Sequence, residues 1–240
     1  MDTYALHDLG ALLAGNPYPG RGIVVGKSAD GTHAAVAYFI MGRSENSRNR
    51  IFAATEDGIR TQAFDPAKVK DPSLIIYHPV RRLENHLIVT NGDQTDTVRD
   101  GLLAGESFSQ ALTRRCFEPD GPNWTPRISA MLTFDGGDFT YEMSILKSAD
   151  AEGTACSRFT FSYPALSGVG HFLHTYVTDG NPVIPTFQGE PERVAVGNDP
   201  EAFAAQVWDS LNPGNKVSLY INWIDLATGE ESVRIFNKNQ

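Results

Sequence analysis

The most continuous apolar run in the chain, His33 to Met41, is rich in strand formers at its centre. It predicts a strand covered on both faces. Just upstream, Ile23-Val24-Val25-Gly26 predicts a short strand ending in a turn, and Asp30-Gly31 is a hairpin-type turn signal. Leu74 to Tyr77 predicts another strand, stopped by Pro79, which lacks the ladder's N–H donor. Thr3 to Leu13 predicts a short helix ended by Gly15 and Pro17. After Asn91 the apolar spacing becomes helical. Asp96 is placed to cap a turn running through Val98 and Leu102 to Gly105. Ser107 and Gln110 fit a capping box, in which each side chain satisfies the other residue's free backbone N–H. Phe108, Leu112 and Cys116 are spaced by four, which predicts a shared face with Cys116 in the core of that helix.

The second half reads as antiparallel. Ile128 to Phe134 and Phe139 to Leu146 flank Asp135-Gly136-Gly137, a hairpin turn, and Phe159 to Tyr163 adds an aromatic strand. Asp199-Pro200-Glu201 combines a capping acid, proline at the first helical position and an acid at the positive end of the helix. Phe203, Val207, Trp208 and Leu211 then form one apolar face, and Asn212-Pro213-Gly214 stops it. Val217, Leu219, Ile221 and Trp223 alternate strictly, predicting a strand with one buried side, and Thr228-Gly229 turns the chain into Val233 to Phe236. Many strands, few helices and late hairpins predict an α+β layered fold. With no repeat, linker or low-complexity run, residues 1–240 read as one domain. Periodicity leaves the number of layers open.

Charge narrows the choice of partner. There are 29 acidic against 20 basic side chains, a formal charge of −9. Such a surface repels long polyanions, so nucleic acid is not expected as a partner. A small phosphate is not excluded, because a few arginines in one cleft can reverse the local field. The 2 cysteines, Cys116 and Cys156, make neither a disulfide scaffold nor a metal-ligand spacing and are expected to be reduced thiols. Charged residues interrupt the start of the chain, and no stretch approaches the roughly 20 apolar residues of a membrane helix. The expectation is a soluble cytoplasmic protein without a membrane partner.

The loops carry the candidate chemistry. Gly42 to Arg50 packs three arginines, two serines and two asparagines directly after the buried strand. Guanidinium groups offer paired donors that match phosphate oxygens, and Ser and Asn add neutral donors. Arg43, Ser44, Arg48 and Arg50 are thus candidate ligand contacts, as is Asn49; a solvated positive loop is the alternative. Asn16 to Gly22 is a rigidly punctuated loop in which Arg21 either addresses a ligand or decorates a turn. Asn91-Gly92-Asp93 is either a polar site with Asp93 as its carboxylate or a turn before a helix. Pro122 to Ile128 could place Asn123 and Arg127 on a base or phosphate, with Trp124 as a wall or as a core corner. His171 and His174 lack a third ligand, so no metal site is expected. Tyr176 and Glu190 are candidates for proton handling or orientation. No Gly-x-Ser-x-Gly elbow is present, and Met1-Asp2 offers no amino-terminal nucleophile.

Taken together, GRSENSRNR, the preceding NPYPGRG and the later NWTPRI, TYVTDGNP and TFQGEP resemble the archaeal-type IMP cyclohydrolase family. The resemblance spans roughly Asn16 to Phe236; the combination is specific, while each piece alone is weak. It implies a four-layer α/β/β/α sandwich similar to the amino-terminal nucleophile hydrolases, without their nucleophile. It implies an enzyme interconverting 5-formamidoimidazole-4-carboxamide ribonucleotide and IMP plus water, the last step of purine synthesis, with no metal or organic cofactor. The partner would be a small purine ribonucleotide, and the resemblance suggests self-association into a homo-oligomer. Arg21, Asn49, Tyr176 and Glu190 would be catalytic; Arg43, Ser44, Arg48, Arg50, Asp93, Asn123 and Arg127 would bind substrate. The alternatives are a related cyclase or amidohydrolase acting on another purine or imidazole ribonucleotide, and a nucleotide-binding protein without turnover.

Overall fold

The computed structural model describes residues 4–69 and 75–239. Met1-Asp2, Thr3 and Leu74, invoked above, lie outside the described residues. The run His33 to Met41 forms strand β2 (His33–Met41), flanked by β1 (Arg21–Lys27) and β12 (Lys216–Asp225). From Ala34 onward β2 is buried at every position, as a strand covered on both faces must be. β10 (Val169–His174), β11 (Glu192–Ala195) and β13 (Glu231–Asn237) complete a six-stranded sheet ordered β11-β10-β1-β2-β12-β13. A seven-stranded sheet runs in simple sequence order: β3 (Arg50–Thr55), β4 (Gly58–Ala63), β5 (Val80–Leu83), β6 (His86–Thr90), β7 (Arg127–Asp135), β8 (Asp138–Ser148) and β9 (Cys156–Pro164). The strand pairings in both sheets are antiparallel.

Strand alternation divides the core. Val36, Tyr38 and Ile40 point at the seven-stranded sheet, where they meet Phe52, Ile59, Ala130 and Ile145. Their neighbours Ala35, Ala37 and Phe39 face the other way, toward α1 (Leu9–Gly15) and α5 (Pro200–Ser210), through Leu9, Leu13, Phe203 and Val207. On the outer face of the seven-stranded sheet, Ile88, Met131 and Leu146 pack on α3 (Gln94–Leu103) and α4 (Phe108–Leu112) through Val98, Phe108 and Leu112. The fold is therefore α+β, two antiparallel sheets with peripheral helices. Among the described residues, no helix is long and apolar enough to cross a membrane.

Several expectations hold in detail. The β7–β8 hairpin turns at Gly136 and Gly137, both at positive φ (56° and 83°), where a side chain would be strained. Ser107 and Gln110 form the capping box of α4, and Asp199 caps α5 by accepting from the Glu201 and Ala202 amides.

Others need correction. α1 begins only at Leu9, because Asp8 accepts the Ala11 amide at 2.7 Å and so fixes the helix start. α3 begins at Gln94, with Asp96 in its first turn rather than at its cap. Cys116 is exposed and lies beyond α4, which ends at Leu112. Ile75 to Tyr77 is not a strand: the Thr61 hydroxyl donates to the Ile75 carbonyl (2.7 Å) and accepts the Tyr77 amide (2.8 Å), substituting for a ladder. β12 is buried on both faces, because Ser218 and Asn222 find polar partners in Asn237 and Glu231 at 2.7 and 2.6 Å. One more polar contact joins the sheets: the Asn237 side-chain amide donates to the Phe52 carbonyl at 3.0 Å and accepts the Phe52 N–H at 2.8 Å.

Candidate active site

β1 opens at Arg21, β3 at Arg50 and β7 at Arg127. The register sets Arg21 against Ile40 and Gly22 against His174, so the ends of β2 and β10 reach the same end of the sandwich. Arg50 is fully buried. Its Nε donates to the Ser47 carbonyl at 2.8 Å, while both terminal nitrogens lack a hydrogen-bond partner. Among the described residues no carboxylate lies within ion-pair distance of it. Burial lowers its pKa; the Tyr77 phenol counters this and the Arg21 charge adds to it. A buried donor left unsatisfied costs about 1–3 kcal/mol, and more when charged. Two such donors on one guanidinium single Arg50 out as a candidate contact for an acceptor from outside the fold.

Arg21 lies beside it. Its side chain is nearly enclosed, its Nε is also unpartnered, and its terminal nitrogen is 3.8 Å from a Glu118 carboxylate oxygen. Burial works against the Arg21 charge, but Glu118 and the surrounding phenols of Tyr77, Tyr176 and Tyr18 hold it protonated. Glu118 is itself buried. Burial pushes its carboxyl above the ordinary carboxylate range, against the pull of Arg21 and Arg127. A carboxyl raised in this way holds its proton more tightly than a free one, which makes it a candidate for proton handling. Tyr38 from β2 and Tyr77 pair through their hydroxyls at 2.9 Å and complete this wall.

A hydroxyl chain also lies near Arg21 and Glu118. Asp120 accepts the Thr125 amide at 2.7 Å and its hydroxyl, and the Thr125 hydroxyl meets the Tyr176 hydroxyl at 2.6 Å. Burial pushes the Tyr176 phenol up, Arg21 notwithstanding, so it stays protonated. Gly20 is at φ +76°, and a Cβ there would fall 2.2 Å from the Thr175 hydroxyl and 2.5 Å from the Tyr176 ring. Only glycine lets the chain pass Tyr176 this closely before Arg21 turns inward.

The fold separates the remaining candidates. Arg127 is buried, but its terminal nitrogen is committed to Gln94 (2.7 Å) and Asp93 (2.8 Å). Asp93 also accepts from Arg115 at 2.7 Å; burial opposes its charge, but the two arginines outweigh that and lower its pKa. Asn91, the hub of the same turn, accepts the Ile128 amide and donates to the Pro126 carbonyl, both at 2.9 Å. The expected arginine loop contains a one-turn helix, α2 (Glu45–Arg48), capped by Ser44 against Ser47. Arg48 holds the Gly42 carbonyl and Asn215, and Asn49 clamps the Asp65 backbone. Arg43 lies over the Tyr18 ring and binds Asp179 and the Gly180 carbonyl, each at 2.6 Å. Asn123 accepts the Ile184 amide at 3.1 Å, and Trp124 packs against Phe117 and donates to Ala151.

Glu190 is exposed and accepts from Tyr163 at 3.2 Å, outside the Arg21–Arg50–Glu118 cluster. His171 and His174 lie on opposite faces of β10: His171 meets Tyr141 at 2.6 Å between the sheets, and His174 stacks on Phe172 outside. Among the described residues, no group of three metal-ligating side chains converges. The cluster thus brings together Arg21, Arg50 and Tyr176 from the sequence candidates. It adds Tyr38, Tyr77, Glu118, Asp120 and Thr125, which sequence reasoning missed. Glu118 had one available signal, the acid–proline–acid run Glu118-Pro119-Asp120 just upstream of the Asn123 loop. Tyr77 was hidden inside an apparent apolar strand.

The model of a family described as IMP cyclohydrolase-like protein matches residues 18–230. An IMP cyclohydrolase of Methanopyrus kandleri is 32% identical over 148 residues, 57% of this chain and 72% of that protein. One from Methanococcus maripaludis is 33% identical over 132 residues, 52% of this chain and 62% of that protein. One from Methanococcus aeolicus is 30% identical over 163 residues, 66% and 74% of the two chains.

Proposed function

The chain belongs to the IMP cyclohydrolase-like family, and from that premise we propose that it closes the inosine ring, converting 5-formamidoimidazole-4-carboxamide ribonucleotide to IMP and water. The observation that carries this reading is a fully buried guanidinium with two unpartnered nitrogens beside a carboxyl raised by burial. In the reaction, the carboxamide nitrogen attacks the formyl carbon of the same molecule. Nucleophile and electrophile are already tethered, so the protein has to select the reactive rotamer and stabilise charge. Arg50, seconded by Arg21, donates to the formyl oxygen as it takes on negative charge. Glu118 carries the proton from the attacking nitrogen to the oxyanion, giving a hydroxyl; the C–O bond then breaks as the formamide N–H proton passes to that hydroxyl, so water leaves and a C=N bond closes the aromatic ring. The Tyr38–Tyr77 pair and the Tyr176–Thr125–Asp120 chain fix the walls. No step needs a covalent nucleophile.

Arg43, at the mouth over Tyr18, suits the 5′-phosphate once that phosphate replaces Asp179. Arg127, Asp93, Arg48, Ser44 and Asn49 shape the surrounding loops in this reading, Asn123 holds the segment carrying Ile184, and Glu190 is not required. The same proposal treats the fold as a four-layer α/β/β/α sandwich similar to the amino-terminal nucleophile hydrolases, in one domain and in the cytoplasm. It includes self-association and no binding of nucleic acid.

An ultraviolet assay following IMP formation tests it. The chain is expected to turn over the formamido ribonucleotide, with Arg50→Ala losing on the order of 10²–10³ in rate, as for removal of an oxyanion donor. IMP binding without turnover would identify a nucleotide sensor. An intact phosphate response with a different preferred base would identify a related cyclase or amidohydrolase.

A further inference from the structure

Cys116 and Cys156 are forty residues apart in sequence, yet one guanidinium joins their segments: Arg158 donates to the Cys156 carbonyl at 3.2 Å and reaches the Cys116 sulfur at 3.7 Å. Cys156 begins β9 and packs on the α3–α4 cluster, half-buried; Cys116 is exposed in the segment after α4. The guanidinium of Arg158 reaches the Cys116 sulfur at 3.7 Å and binds the Thr113 and Arg115 carbonyls at 3.4 and 2.7 Å. It therefore anchors the Cys116 segment and sets a positive charge beside the exposed sulfur. The Cys156 thiol is pushed up, by burial first and by its neighbour Cys116 second. One sulfur is thus accessible beside a cation, and the other is a protonated thiol held against it. These are the two parts of an attacking and a resolving cysteine.

The surroundings connect the pair to the site. Cys116 is followed by Phe117 and then by Glu118, whose own amide binds the Thr125 carbonyl at 2.8 Å. The Phe117 ring lies edge-on to Trp124, with centroids 5.7 Å apart. Closing a bond of about 2.05 Å between the two sulfurs therefore pulls on the chain that bears Glu118, two residues beyond Cys116.

We propose that Cys116 and Cys156 are a reversible, oxidation-sensitive dithiol whose disulfide displaces Glu118. With a peroxide as oxidant, the Cys116 thiolate attacks one peroxide oxygen. The O–O bond breaks, and protonation of the departing oxygen releases water and leaves a sulfenic acid. The Cys156 sulfur then attacks Cys116, the S–O bond breaks, and the Cys156 proton leaves with the hydroxyl as a second water. Two thiols lose two electrons to one peroxide, and a dithiol reductant returns them. The cross-link is independent of the proposed reaction; only its effect on turnover rests on that reading.

The test treats the full chain with hydrogen peroxide and follows three readouts: non-reducing peptide mass, Trp124 emission, and IMP formation. The expected result is a Cys116–Cys156 linked peptide lighter by two hydrogens than the separate thiol peptides. A shifted Trp124 emission and a loss of turnover on the order of tenfold accompany it, as for a reacting group displaced by a fraction of an ångström. Dithiothreitol reverses all three, and Cys116→Ser keeps the starting turnover and shows none of them. Sulfinic or sulfonic acid at Cys116 with no linked peptide overturns the proposal, as does a linked peptide with emission and turnover unchanged. A linked peptide with shifted emission, in a protein whose reduced form has no turnover, supports the dithiol and sinks the cyclohydrolase reading.

Discussion

The starts of β3 and β7 offer the same residue type at the same end of the same sheet, with opposite outcomes. Arg127 at β7 is buried with its charge answered by Asp93 and its geometry fixed by Gln94. Arg50 at β3 is buried with one backbone acceptor and two terminal nitrogens unanswered. Taking a cation out of water costs several kcal/mol unless partners replace the lost solvation. Arg127 is stabilised within the fold, whereas among the described residues no acceptor answers the terminal nitrogens of Arg50. Burial of an arginine alone does not make it a candidate; burial without partners does.

The largest effect that could break this comparison concerns catalysis. Arg50→Met is expected to lower kcat/KM by about 10²–10³ through loss of the donor to the formyl oxygen, while leaving stability unchanged or raised, because an uncompensated charge leaves the interior. Parallel assay and thermal melting check both halves; a large fall in melting temperature would mean that Arg50 is structural after all. Glu118 sharpens the same point. Its raised pKa keeps it protonated above the usual carboxylate range, so a reaction needing its carboxylate loses rate as pH falls through that raised value. Glu118→Gln should remove that limb from the pH–rate profile.

Next comes Arg127→Met, which leaves Asp93 with one arginine and Gln94 without its donor. It should destabilise by about 2–4 kcal/mol in denaturant melts. The third effect is pH-linked. Burial, with Arg193 adding, lowers the pKa of His171 to about 4, below its ordinary 6.5. A depressed folded-state value means that stability is full above about 6.5 and is lost as pH falls toward 4, by roughly 2–3 kcal/mol. His171→Phe should flatten that part of the curve. The smallest effect is Asp179→Asn: the Arg43–Asp179 pair is partly exposed, so stability should change by less than about 1 kcal/mol.

Legibility followed how local the information was. Ser107 with Gln110, Asp199 with Pro200, and the Gly136-Gly137 turn each act over a few residues, and all were readable. The both-sided burial of β2 was legible because nothing polar interrupts it. β12 misled because its intervening Ser218 and Asn222 look solvent-facing until Asn237 and Glu231 come to meet them. The arginine loop stood out as a candidate, but its three arginines take three fates that only tertiary contacts decide: Asp179 for Arg43, Asn215 for Arg48 and no acceptor for the terminal nitrogens of Arg50. Glu118 carries no local signal of burial, since its environment is made by Arg21 and Arg127 from distant strands.

The Asn237 side chain has a further consequence for β3. That strand is an edge, and an edge ordinarily offers its outward peptide groups to any passing chain. At Phe52 both outward groups are already taken by a side-chain amide imitating a peptide. The sandwich is thus sewn shut along this seam, and fibrillar or runaway strand-to-strand growth has no purchase at the middle of β3.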